Sequence, residues 1–136
     1  MPNMSTPESA SELLLTMAEP TRLRILNCLA AAPLFVSDLQ LLLDLPQPTV
    51  SRHLQVLRRS ELVRDTPIAQ FVLYRLRRLT GPQGKLLSAM LDAMNADPGM
   101  REERERAAER SRAHTEIRTQ EPAAIGAASV RGKKAP

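Results

Sequence analysis

The residues that could do chemistry gather in one short stretch of this chain. Gln47, Thr49, Ser51, Arg52, His53, Gln55, Arg58 and Arg59 stand close together with no Asp or Glu among them. On a helical wheel Val50, Leu54 and Leu57 fall at i, i+4 and i+7 and form a stripe suited to burial. Directly opposite fall Arg52, Gln55 and Arg59, with Ser51 and Arg58 on one flank and Thr49 on the other. That outward row offers guanidinium, amide and hydroxyl groups. An Arg can donate two hydrogen bonds to guanine O6 and N7, and a Gln can pair with adenine N6 and N7. The chemistry this predicts is recognition of duplex DNA by a helix. Gln47 and Ser51 sit near the helix start, where such helices meet the groove. His53 lies beside the apolar stripe. Packing or a phosphate contact suits it better than metal ligation, because no second His, Cys or carboxylate pair stands at ligand spacing.

The surrounding elements must hold that helix in place. A first helix starts at Thr6-Pro7-Glu8 (or at a Ser9/Glu12 capping box) and carries Leu13, Leu14 and Met17. A second begins near Glu19-Pro20, with Leu23, Ile25, Leu26, Leu29 and Ala30 at helical spacing, and ends at Pro33. Ser37 with Gln40 reads as the capping box of a short third helix that buries Leu39, Leu42 and Leu43. It stops around Asp44-Leu45-Pro46, and the helix from Gln47 to Arg59 follows at once with Pro48 in its first turn. Two short helices joined by so tight a turn make a helix-turn-helix. Leu62-Val63-Arg64 and Phe71-Val72-Leu73-Tyr74 are β-prone, and the tip between them reads as Asp65 to Ala69. This hairpin is the wing, where Arg64 and Gln70 are further candidates for DNA contact.

After the break at Gly81-Pro82 a fifth helix is predicted from Leu86, Leu87, Met90, Leu91 and Met94, stopped by Asp97-Pro98-Gly99. Residues 101–118 alternate Arg and Glu with almost no large apolar side chain and read as a solvated helix. The expected organisation is an arm over 1–8, a domain over 9–96, a charged helical extension over 97–118 and a disordered tail over 119–136.

Composition agrees with a helical DNA-binding protein and excludes other classes. Hydrophobic residues make up 43% but aromatic ones only 2%, so the core is aliphatic and favours helices over a sandwich or barrel. The net charge of +4 is not gathered at the DNA-reading helix. Over residues 1–60, Arg22, Arg24, Arg52, Arg58 and Arg59 are balanced by Glu8, Glu12, Glu19, Asp38 and Asp44, and much of the excess lies in Arg131, Lys133 and Lys134. There is no Gly-rich phosphate loop, no nucleophile with a base and no paired carboxylates in an apolar setting, so an enzyme is not expected. No cofactor is expected either. No apolar run is long enough for a membrane span, and Lys and Arg are absent before Arg22, which points away from a signal peptide and toward the cytoplasm. The one cysteine, Cys28, is either a small core residue or a thiol switch for a redox signal or effector. Met17, Met90 and Met94 suit either packing or a small pocket.

The sequence resembles the ArsR-type winged-helix repressors. The resemblance is carried by Ala18-Glu19-Pro20-Thr21-Arg22-Leu23-Arg24-Ile25-Leu26, Val36-Ser37-Asp38-Leu39, Leu45-Pro46-Gln47-Pro48-Thr49-Val50-Ser51-Arg52-His53-Leu54 and Val72-Leu73-Tyr74-Arg75-Leu76. It implies a mainly α, winged helix-turn-helix fold of about five helices plus a two-stranded β hairpin. It further implies a homodimer that pairs its first and last domain helices. Such a dimer would repress transcription from an inverted-repeat operator until an effector arrives, with Gln47, Ser51 and Arg52 at the main DNA-contacting positions.

Three departures narrow this expectation. Where metal-sensing members often have Cys-x-Cys, this chain has Val36-Ser37-Asp38. Where zinc and nickel sensors place His and Asp on the last helix, residues 85–95 hold only Asp92. The wing tip, usually basic, is Thr66-Pro67-Ile68-Ala69-Gln70, with Gln70 where an Arg is expected. The effector is therefore expected to be something other than a metal at the usual family sites. The other reading of the same fold is a winged-helix dimer that binds a protein and has only weak DNA affinity.

Overall fold

The computed structural model describes residues 7–125, and side-chain surroundings from 10 to 114. Helix α1 (Pro7–Met17) is followed by α2 (Pro20–Ala31), a two-residue strand β1 (Leu34–Phe35), α3 (Val36–Leu43) and α4 (Gln47–Arg59). Then come strands β2 (Val63–Ile68) and β3 (Phe71–Leu76) and helices α5 (Gly81–Asn95) and α6 (Pro98–Ile125). The sequence itself sets most of these boundaries. The Glu19 carboxylate accepts the Arg22 amide at 2.9 Å and Pro20 opens the first turn, which fixes the start of α2. Asp44 closes α3 in the left-handed conformation at φ 56°, which lets α4 start three residues later.

The sheet is three-stranded and antiparallel in the order β1-β3-β2, one strand more than the predicted hairpin. Leu34 pairs with Tyr74 and Phe35 with Leu73. The wing strands also run further than predicted. Asp65 to Ile68 belong to β2, Ile68 pairs with Phe71, and the turn is Ala69-Gln70. Pro67 is tolerated because β2 is the edge strand. Ala69 takes the positive φ of 57° that such a turn demands of its first residue.

The core is aliphatic. Met17, Ile25, Leu26, Leu34, Leu39, Val50, Leu54, Leu57 and Leu62 are all fully enclosed. Cys28 is enclosed with them, and burial pushes its thiol up to about 12. That place fits a core residue and not an accessible thiol. Native protein at neutral pH should therefore resist a thiol reagent that labels it fully once unfolded. Rapid stoichiometric labelling of the native state would contradict the burial described here.

The reading of residues 101–118 as a solvated helix is corrected. Met100, Glu103, Ala107, Arg110 and His114 recur along one face of α6, and Glu103 and Ala107 are buried. Arg24 of α2 donates twice to Glu103, at 2.9 and 2.6 Å. The buried Asn27 amide donates to the Met100 carbonyl at 2.9 Å and accepts from Arg104 Nε at 3.0 Å. The Asp97 carboxylate, expected to stop α5, also accepts the Met100 amide at 3.0 Å and so starts α6. Of the residues expected to form the tail, 119–125 continue this helix, and 126–136 lie outside the described residues. Residues 1–6 of the predicted arm lie outside them too.

Further along, α6 reaches the start of the helix-turn-helix. Asp38 is fully buried. One of its oxygens accepts the Phe35 amide at 2.9 Å, and the other meets Arg110 Nε and His114 Nε2, each at 2.7 Å. The cap of α3 is therefore Asp38 and not the predicted Ser37–Gln40 box: Ser37 already lies inside the helix, and the residue that must be capped is Phe35. Asp38→Ala removes a helix cap and the buried acceptor shared by Arg110 and His114. It should destabilise the fold by about 3 kcal/mol, seen as a lower urea midpoint at unchanged slope. A midpoint equal to the unaltered protein's would mean that this cluster contributes nothing to stability.

Candidate nucleic-acid interface

The helix singled out by its chemistry is α4, with the predicted bounds Gln47 and Arg59. Val50, Leu54 and Leu57 are each 0% exposed, so the wheel's buried stripe is locked in the core and the opposite row must face out. Arg52, Arg58 and Arg59 are exposed, and no acid lies in the first turn. Arg52 and Arg59 have no ion-pair partner among the described residues. Gln47, exposed on the first turn, donates to Ser51 Oγ at 2.6 Å, so the two candidates nearest the helix start are already paired. Thr49 is half-buried.

Two candidates turn out to be anchored rather than free. Gln55 Nε2 donates to the Tyr74 hydroxyl at 3.4 Å, which ties α4 to β3, and its carbonyl accepts from Arg58 Nε at 3.4 Å. The His53 side chain is only 12% exposed and sits against the start of α2. Its Nδ1 is 3.4 Å from Arg22 NH1 and 3.9 Å from Glu19 Oε1. Burial lowers its pKa, and Arg22 and Arg52 push the same way against Glu19, so the ring is neutral at neutral pH and accepts from Arg22. Arg22 also donates to the Thr16 carbonyl at 2.6 Å, so this cluster joins α4 to the link between α1 and α2.

On the wing Arg64 and Gln70 are both exposed, Gln70 at the turn itself. Arg64 lies directly across from Arg75, which is also exposed and which the helix-centred pattern of the sequence does not single out. The alternation of Val72, Tyr74 and Leu76 inward against Leu73 and Arg75 outward is the signal that could have found it.

Residues 19–65 match the family described as "Bacterial regulatory protein, arsR family". The chain is 38% identical over 73 residues to the HTH-type transcriptional regulator Rv2034 of Mycobacterium tuberculosis, covering 54% of this chain and 68% of that protein. The chain belongs to the arsR family. It is also 41% identical over 64 residues to the biofilm growth-associated repressor of Agrobacterium fabrum, covering 47% of this chain and 55% of the relative. Among solved structures it is similar to the transcriptional repressor BigR of Xylella fastidiosa, with a TM-score of 0.57 and 28% identity, covering 65% of this chain and 86% of BigR. This arsR-family chain is thus a winged-helix, DNA-binding transcriptional regulator and not an enzyme.

The stretch Val36-Ser37-Asp38, found where metal sensors of the family often have Cys-x-Cys, opens α3, and its carboxylate is held by Arg110 and His114. Among the described residues no three His, Cys, Asp or Glu side chains are grouped so as to hold a metal ion. Among them, too, no helix is long and apolar enough to cross a membrane.

Proposed function

We propose that this regulator is a repressor that binds an inverted-repeat operator as a homodimer and is released by an effector other than a metal at the usual family sites. The observation that carries the reading is the outward row of α4. Gln47, Ser51, Arg52 and Arg59 form an acid-free surface on a helix whose opposite side is fully buried. Thr49, Gln55, Arg58, Arg64 and Gln70 border that surface, and His53 positions it from behind. The dimer is supported by Leu14 and Leu15 of α1, 45% and 68% exposed, an apolar surface of the kind that a second copy covers. Repression is supported by the printed names of the Agrobacterium and Xylella relatives. The absence of thiolates at Val36-Ser37-Asp38 supports an effector of another kind.

The test is selection of duplexes from a random pool by the full chain at moderate salt, followed by a mobility shift on the enriched sequence. An inverted repeat bound by two copies is expected. Failure to enrich any sequence above non-specific binding would sink the repressor reading and leave a protein-binding module in its place.

A further inference from the structure

The wing has lost the basic tip common in its family, yet its outer face is far from featureless. Directly paired residues on neighbouring strands share a face, and the register pairs Arg64 with Arg75, Thr66 with Leu73 and Ile68 with Phe71. The other face carries the buried Val63 and Tyr74, so the first one points outward. At its tip Ile68 is 39% and Phe71 54% exposed. The Phe71 ring is held edge-on against Phe35, with centroids 6.1 Å apart, so the aromatic is presented in a fixed position. At its base two exposed guanidinium groups stand opposite each other, with no ion-pair partner among the described residues. Like charges placed directly across a strand pair destabilise a hairpin unless an anion comes between them.

The tip also lies on the same side of the molecule as the start of α4. Gln40 and Gln47 line a groove of about 330 Å³ together with Gln70, Phe71 and Val72. A partner that meets α4 therefore meets the wing tip as well. It must offer an apolar strip beside rows of negative charge. The minor groove of a DNA duplex has that pattern, with sugar C–H walls running between two phosphate rows.

We propose that the wing docks on DNA as an apolar wedge. Ile68 and Phe71 lie against the sugar walls of the minor groove beside the site read by α4, and Arg64 and Arg75 take the adjoining phosphates. This rests on the DNA-binding reading above and replaces the charge contact of a basic tip with a contact that salt does not screen. A wedge of this kind also bends the duplex.

The experiment uses the full chain and a duplex enriched from the random pool, dye-labelled at both ends. Affinity is measured across a salt series and bending by energy transfer between the dyes. Ile68→Ser should weaken binding about tenfold at every salt concentration and leave the salt slope unchanged, while reducing the bend. Ile68→Leu keeps the apolar surface and should bind like the unaltered protein. The double variant Arg64→Ala/Arg75→Ala should instead flatten the salt slope by about 0.9 for each phosphate that is no longer neutralised. Equal binding by Ile68→Ser and the unaltered protein would overturn the wedge, as would equal losses in Ile68→Ser and Ile68→Leu. Either result, obtained on a duplex that the unaltered protein does bind, leaves the repressor reading standing. If the unaltered protein enriches no duplex, both readings fall.

Discussion

A chain ended at Ala96 should unfold at a much lower urea concentration than the full chain, having lost at least about 4 kcal/mol of a total that is about 5–15 kcal/mol for domains of this kind. The cut falls where the sequence alone would place the end of the domain, and it removes α6. Asn27 and Cys28 of α2 lie in or beside the surface that α6 covers, and both are 0% exposed in the full chain. Without α6, Asn27 loses the Met100 carbonyl, Glu103 and Arg104 together. Arg24 loses its doubly bonded carboxylate, and Asp38 keeps its bond to the Phe35 amide but loses both Arg110 and His114. The start of α3 is thereby loosened next to the helix that reads DNA. Circular dichroism across a urea series checks the expectation, and size-exclusion chromatography reports whether the shortened chain aggregates. A shortened chain with the full chain's midpoint would mean that the packing of α6 is incidental.

Arg52→Ala should lower affinity for the enriched duplex at least a hundredfold and leave stability within about 0.5 kcal/mol. Arg52 is exposed and has no ion-pair partner among the described residues, so the fold loses little with it. Alanine is also the best helix former, so α4 itself should persist. A bidentate contact to guanine is worth about 1–3 kcal/mol, and an inverted repeat bound by two copies counts it twice. Arg52→Lys separates shape from charge. It keeps the positive charge but not the planar fork, and should recover binding to a scrambled duplex far better than binding to the enriched one. Fluorescence anisotropy on both duplexes measures the difference. Equal losses on the two would assign Arg52 to phosphate contact alone, and unchanged binding would remove it from the interface.

The bounds of α4, its buried stripe and its polar row were legible in the sequence because helix periodicity is local. The spacing of Val50, Leu54 and Leu57 dictates one buried side, and the residues opposite follow without knowledge of anything else. The start of α2 at Glu19-Pro20 was legible for a similar reason, since a cap and its proline act within one turn. The strand character of the wing was legible too, but its turn was not. Pro67 in β2 and Ala69 at positive φ both break the usual signals, and only pairing with β3 makes them acceptable.

Tertiary structure alone decided the rest. No pattern within two residues announces β1, which exists because Leu34 and Phe35 meet the free edge of β3. The buried side of α6 escaped because it is mostly polar. Glu103, Ala107, Arg110 and His114 follow a core-like spacing, but hydrogen bonds and ion pairs with α2 and α3 hold three of the four. A search for apolar periodicity cannot see a stripe made of charges whose partners lie more than seventy residues away, as Arg24 does from Glu103. The sequence by itself therefore determined which helix reads DNA and which groups it offers. The tertiary structure decided what holds that helix-turn-helix in position, because a charge reads as solvated until the fold brings its counter-charge beside it.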